Sequence, residues 1–226
     1  NATAIGNGAL ANQRNTTAMG PSASATARSA MALGDSASAT AVQSSAVGTR
    51  AAASGTSAFA AGTDADASGT SAIAVGTTSV ASGADSVAVG STSRATGDRA
   101  FAGGFDAQAS GADAYALGRG SRASGTDSIA FGRDAQASFT DSVALGHNSV
   151  TAAAVGTPNA TVDNVTYSYA GTLPGSTVSV GTDTIKRTIT NVAAGRVSST
   201  STDAINGSQL FGTNQAVTAL GNNLDS

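Results

Sequence analysis

The sequence predicts an all-β solenoid built from 14-residue coils, and three observations predict it. A glycine returns every 14 residues, at positions 6, 20, 34, 48, 62, 76, 90, 104, 118, 132 and 146. An alanine stands two residues before each of them, from Ala4 and Ala18 to Ala130 and Ala144. Apolar residues, many β-branched or aromatic, recur one and three places before the glycine, as Val75 and Ile73 do before Gly76. Register kept over eleven repeats is the mark of a tandem array in which each unit buries its surface on the next.

The totals exclude several classes of function. The chain has 226 residues, of which 11% are charged and 4% aromatic. Such a composition alone reads as a flexible low-complexity segment, but a disordered linker has no reason to hold a strict period. The net charge of -3 offers no basic surface for nucleic acid. With no cysteine there is no disulfide framework, thiolate metal site or thiol nucleophile. No apolar run is long enough to span a membrane. No signal peptide opens the chain. Both ends fall inside patterned sequence, so the chain is expected to be a fragment of a longer protein.

Residues 72–85 show one repeat as a physical object. A first strand runs through Ala72-Ile73-Ala74-Val75 up to Gly76, and a second holds small residues at alternate places, as Ala107 and Ala109 do in a later repeat. The side chains three and one before the glycine share a strand face. They are expected to form the thin core of the coil. A second glycine seven places past the first, at Gly55, Gly69, Gly83, Gly97, Gly111 and Gly125, marks the other turn, where positive φ costs glycine nothing. Eleven parallel coils at the strand spacing make a rod on the order of 50 Å long. The opposite strand face carries Ala74, Ala88 and Ala116 and is uniformly small. It suits close approach by another subunit; the other reading is that small residues fit a narrow interior.

The period breaks after Gly146. Residues 157–178 contain Pro158, Pro174 and the alternating Val165-Thr166-Tyr167-Ser168-Tyr169, which reads as an inserted extended segment or hairpin. Tyr167 and Tyr169 are expected to pack rather than bind ligand. From residue 203 a helix is expected, with Asp203 as its N-cap. Leu210, Val217 and Leu224 recur at seven, with Leu220, Asn206 and Thr213 in the complementary positions, a short polar heptad seam.

Ser71-Ala72-Ile73-Ala74-Val75-Gly76 and Asp141-Ser142-Val143-Ala144-Leu145-Gly146 resemble the head repeats of the YadA-like trimeric autotransporter adhesins. Arg187-Thr188-Ile189-Thr190-Asn191-Val192-Ala193-Ala194-Gly195, then Asp203-Ala204-Ile205-Asn206 and Gln209-Leu210, resemble that family's neck. The resemblance covers nearly the whole chain except about 157–178, which looks like a head insertion. It implies a left-handed parallel β-roll, three of which form a homotrimeric head. It implies a neck that carries each chain to its neighbour, a coiled-coil stalk, and an outer-membrane anchor that this chain lacks. The expected organisation is a head over 1–156, an insertion over 157–178, a neck over 179–202 and the start of the stalk over 203–226.

Catalysis has little to stand on. His147 is the only histidine and sits at a turn. Asp85, Asp113, Asp127 and Asp141 recur at one repeat position, with Arg99 among them, and are expected to cap backbone N–H groups rather than hold a cation. No cofactor or metal is expected. Phe105, Phe139 and His147 interrupt positions otherwise small or polar and are the expected ligand contacts. The expected subunit interface comprises Ala74, Ala88, Ala116, Ile189, Val192, Leu210 and Val217. The expected function is that of a bacterial surface adhesin head that binds a host cell-surface or matrix protein or glycan through repeated weak contacts. The alternatives are a non-binding spacer and an ice-binding solenoid.

Overall fold

Each 14-residue repeat folds into one coil of two short strands, and each coil pairs in parallel with the next. In the computed structural model, which describes residues 1–224, the first strands make a 12-stranded sheet from Ala2–Ile5 to Val143–Leu145, ending on Val178–Ser179. The second strands make a 10-stranded sheet from Leu10–Ala11 to Gln136–Ala137. The pairing register equals the sequence period: Ile73 faces Val87, Ala74 faces Ala88 and Val75 faces Val89.

The interior consists of small side chains. Ala72, Ala74, Ser79 and Ala81 fill one coil and are fully buried. The buried serines bond the turn they close: Ser79 Oγ donates to the Gly76 carbonyl at 2.9 Å, and Ser93 and Ser121 repeat this with Gly90 and Gly118 at 2.8 Å. This satisfies hydroxyls that would otherwise be costly to bury. Among the described residues Ser86 Oγ is the exception, buried without a partner.

The sidedness of the first strand corrects the sequence reading. Ala74, Ala88 and Ala116 have no exposed surface within a single chain, so they cannot be contacts between subunits. The larger apolar side chains, expected in the core, point out of the coil instead. Two facing sheets leave room between them for alanine and serine, and at Thr16 and Thr151 for threonine, but not for the larger apolar side chains.

The turns follow a period of seven rather than 14. A residue in the left-handed region recurs every seventh place from Gly8 to Asn148, with φ between 54° and 70°. Asp, Asn and Ser fill most of these places, and Asp and Asn tolerate this backbone best after glycine. Asp85, Asp113, Asp127 and Asp141 are among them, with φ of 54–57°. Their backbone conformation thus explains the recurrence. Asp113 takes both of its side-chain bonds from Arg99, at 2.6 and 2.7 Å, rather than capping backbone.

The two glycine rows serve different needs. Gly76 has φ of 135°, and a Cβ there would lie 2.5 Å from the Gly90 carbonyl oxygen. Gly83, expected to supply positive φ, does not have it; a Cβ there would overlap the Gly97 carbonyl group. The second row is glycine because backbone stacks on backbone.

The chain leaves the solenoid after residue 153 and returns to it over 176–186. Val178 and Ser179 add a last rung beside Val143 and Ala144. Solenoid structure therefore extends past residue 179, where the neck was expected to begin. The second unit comprises 154–175 and the chain from 187 onward. Its Asn159–Val162 and Val165–Ser168 strands form an antiparallel hairpin. The hairpin turns on Asp163 and Asn164, both at positive φ, as a two-residue hairpin turn requires.

The helix runs over Gly207–Leu224 and is capped by Asn206, not Asp203. Asn206 Oδ1 accepts from the Gln209 N–H at 3.3 Å and from Ser208 Oγ at 2.8 Å. Asp203 is instead held by the Arg196 guanidinium at 2.7 and 3.0 Å. Asn206 thus lies before the helix and contributes no heptad position. The Leu224 side chain and residues 225–226 lie outside the described residues.

Candidate binding surface

The sheet alternation that encloses the alanines displays two rows of large side chains. One row holds Phe59, Ile73, Val87, Phe101, Tyr115 and Ile129; the other runs through Val75, Val89, Leu117, Phe131 and Leu145. All of them are half-buried or exposed; Ile73 keeps 37% of its surface and Phe131 keeps 53%. Phe101 and Tyr115 stack on consecutive coils with ring centroids 6.4 Å apart. An apolar strip of this extent on a single chain marks a surface built to be covered. The second sheet presents outward Asp66, Val80, Arg94, Gln108, Arg122 and Gln136. That irregular, charged row is unlike the flat, repetitive face of an ice-binding solenoid.

The expected ligand contacts fall on both edges of the coils. Phe105 and His147 stand in one turn row, three coils apart, with Arg119 and Arg133 between them. Phe139 belongs to the opposite turn, in the row of Gly97, Gly111 and Gly125, so the three do not converge. Phe105 is exposed, and the Arg119 guanidinium lies 6.0 Å from its ring centroid. Arg133 donates to His147 Nε2 and lies 3.7 Å from the Asp134 carboxylate. Arg119 and Arg133 escaped the sequence reading, although reading every fourteenth residue from Phe105 exposes them.

Ion pairs between coils recur elsewhere on the turns. Arg50 grips Asp64 with two bonds of 2.6 Å, as Arg99 grips Asp113. The guanidinium bonds hold both carboxyls below their ordinary range. Asp66 moves the opposite way, raised by partial burial. Among the described residues no three His, Cys, Asp or Glu side chains gather as metal ligands.

In the second unit Ile189 is 71% exposed and Val192 half-buried, while Leu210 and Val217 on the helix are exposed. No helix among the described residues is long and apolar enough to cross a membrane. The Gln209 amide accepts from the Gly195 N–H at 2.9 Å and donates to its carbonyl at 2.6 Å. Asn206 Nδ2 donates to the Val192 carbonyl at 3.1 Å. These contacts explain why Asn206 and Gln209 accompany Asn191-Val192-Ala193-Ala194-Gly195: the side-chain amides act as backbone partners for an irregular segment.

A parallel solenoid with its large apolar residues outside, followed in the chain by an amide-buttressed neck and a helix, defines a repetitive head-and-stalk protein. The chain belongs to the YadA-like trimeric autotransporter adhesins. The YadA head domain repeat matches residues 1–24, 25–51, 53–79, 81–107, 109–135 and 123–149, and the coiled stalk of trimeric autotransporter adhesin matches 188–226. The autotransporter adhesin BtaE of Brucella suis biovar 1 is 53% identical over 72 residues, 32% of this chain and 10% of that protein. The chain thus matches only a small part of that relative's length. Among solved structures, the C-terminal YadA-like domain of BPSL2063 from Burkholderia pseudomallei is 55% identical over 45% of this chain and 48% of that one, with a TM-score of 0.44. The collagen-binding domain of Yersinia adhesin YadA is 24% identical over 95% of this chain and 87% of that one, with a TM-score of 0.42.

Proposed function

We propose that this chain is the head and neck of a cell-surface adhesin, anchored in an outer membrane through a further domain and assembled as a homotrimer. Its subunits meet through the outward apolar rows of the first sheet. The observation that carries the reading is the exposure of Ile73, Val89, Tyr115 and Phe131 on strands whose alanines are already enclosed. Covering that strip removes apolar area from water at about 25 cal/mol per Å². Ile189, Val192, Leu210 and Val217 continue the association through the neck and stalk.

The trimer leaves the turn edges facing outward, each repeated three times, so weak contacts with a host cell-surface or matrix ligand sum to useful avidity. Phe105 and His147 lie on such an edge. The reaction with the ligand is binding without turnover. Sedimentation equilibrium of wild type and an Ile73→Asp, Val89→Asp variant tests the assembly: the trimer is expected to dissociate in the variant. A wild-type protein that stays monomeric and folded sinks it. Adhesion of protein-coated beads to cell monolayers tests the function, and beads that never adhere leave only the spacer reading.

A further inference from the structure

The second unit encloses no core of its own. The buried apolar residues run from Ala18 to Ala144, all of them alanines of the solenoid. In 154–175 and 187–223 no described side chain is buried. Val155, Leu173, Val197 and Ile205 are all exposed there. Burial within a single chain therefore does little to hold this unit together.

The hairpin of this unit has two unlike faces. Directly opposed residues of an antiparallel pair share a face, and the register sets Ala160 opposite Tyr167 and Val162 opposite Val165. The Tyr169 N–H donates to the Pro158 carbonyl at 2.9 Å, which carries the ladder one pair further. Pro158, Ala160, Val162, Val165, Tyr167 and Tyr169 thus make an apolar face without a charged side chain. Asn159, Thr161, Thr166 and Ser168 make a polar one, on which the Thr161 and Thr166 hydroxyls lie 3.2 Å apart. Tyr167 keeps 53% of its surface and Tyr169 keeps 47%, so their own chain does not complete the packing expected of them.

We propose that the apolar face of this hairpin packs against a second copy of the chain, as a subunit contact separate from the outward rows of the first sheet. The proposal rests on the homotrimer reading and extends it to a surface which that reading does not use. An isolated two-stranded hairpin is marginal in water and needs its apolar face covered. The hairpin shares one compact unit with the neck and helix, where exposed Ile189, Leu210 and Val217 carry the association onward. A Cβ on Gly171, three residues past the hairpin, would lie 3.1 Å from Thr202 Cγ2, so the returning strand leads straight against the neck. The apolar face is thereby continuous with surface that a neighbouring subunit covers. Its lack of charge also suits a permanent partner, since obligate interfaces are the more hydrophobic class. Three-fold symmetry repeats the contact at each subunit boundary. The polar face is left to water.

The chain has no cysteine, so a single introduced thiol reports on one position. Val165→Cys places it on the apolar face, and Thr166→Cys places it on the polar face of the same strand. In the trimer the thiol at 165 should react with a maleimide about tenfold or more slowly than the thiol at 166. In the dissociated Ile73→Asp, Val89→Asp background the two should react at similar rates. A photoreactive benzophenone in place of the Tyr167 ring should link two chains covalently when the trimer is irradiated. Equal thiol rates in a protein that sediments as a trimer overturn the proposal and leave the trimer reading standing, with the face open to an outside ligand. Protection that survives dissociation overturns it too, because the cover is then the chain itself. Irradiation of the trimer that links no chains does the same. A wild type that sediments as a folded monomer removes both readings together.

Discussion

Ile73 and Ala74 are chain neighbours on opposite sides of one three-residue strand: Ala74 is fully enclosed by its own coil, while Ile73 projects from it. Large-to-small rules therefore invert here, and the alanine is the core residue. Ala88→Leu should destabilise the roll itself by about 1–3 kcal/mol per site through overpacking. Val89→Ser, one residue on, should leave coil packing intact and weaken association. Melting curves at several protein concentrations separate the two. A concentration-independent loss is expected for Ala88→Leu and a concentration-dependent one for Val89→Ser. The reverse assignment would show that the sidedness is wrong.

Gly83 and Gly97 stack backbone on backbone, so a single methyl is too large between them. Gly83→Ala should lower the melting temperature clearly, although its φ is not left-handed. Gly175→Ala, where nothing lies within 4 Å of the added Cβ, should have little effect. Equal melting temperatures in the two variants would mean that coils do not stack this closely.

Thr78 holds a left-handed φ of 54°, which a β-branched residue adopts at a cost. Its hydroxyl recovers only a local bond to the Thr77 carbonyl. Thr78→Asn should stabilise the head by about 1 kcal/mol, the scale of the left-handed penalty. Denaturant unfolding measures it, and a destabilised variant would contradict the turn geometry.

The carboxylates make opposing contributions to acid stability. Asp64 and Asp113 are held low by Arg50 and Arg99, so on acidification the unfolded chain takes up these protons first. Their stabilisation is complete above the ordinary carboxylate range and is lost as pH falls through the folded values. Partial burial raises Asp66, so its ionisation opposes folding as pH rises through that range. Asp66→Asn should therefore melt higher than wild type at neutral pH. Asp64→Asn and Asp113→Asn should melt lower there. All three should converge on wild type in strong acid. A gap that persists in acid would assign the effect to something other than these ionisations.

Much of the fold was legible because solenoid pairing is local in the repeat. A glycine and an alanine at fixed places in 14 residues specify strand, turn and register together, and Ile73 meets Val87 because the chain has advanced one period. The left-handed turns at every seventh residue were also visible, as Asp64, Ser71, Thr78 and Asp85, though the longer glycine period concealed them. The neck was legible only by resemblance, since nothing local says that Gln209 will bond Gly195 across 14 residues.

By itself the sequence determined the coil, its period and the parallel pairing, since those follow from spacing along the chain. It did not determine which strand face is inside, because alternation defines two faces without ranking them. Hydrophobicity ranked them wrongly: the gap between the two sheets admits alanine and serine and excludes isoleucine, so steric fit overrides apolar area. Only the tertiary structure decided that. It also decided the contacts that fall outside the period, the Gln209 amide on Gly195 and the Val178 rung beside Val143, because these are set by the path of the chain in space and not by its spacing.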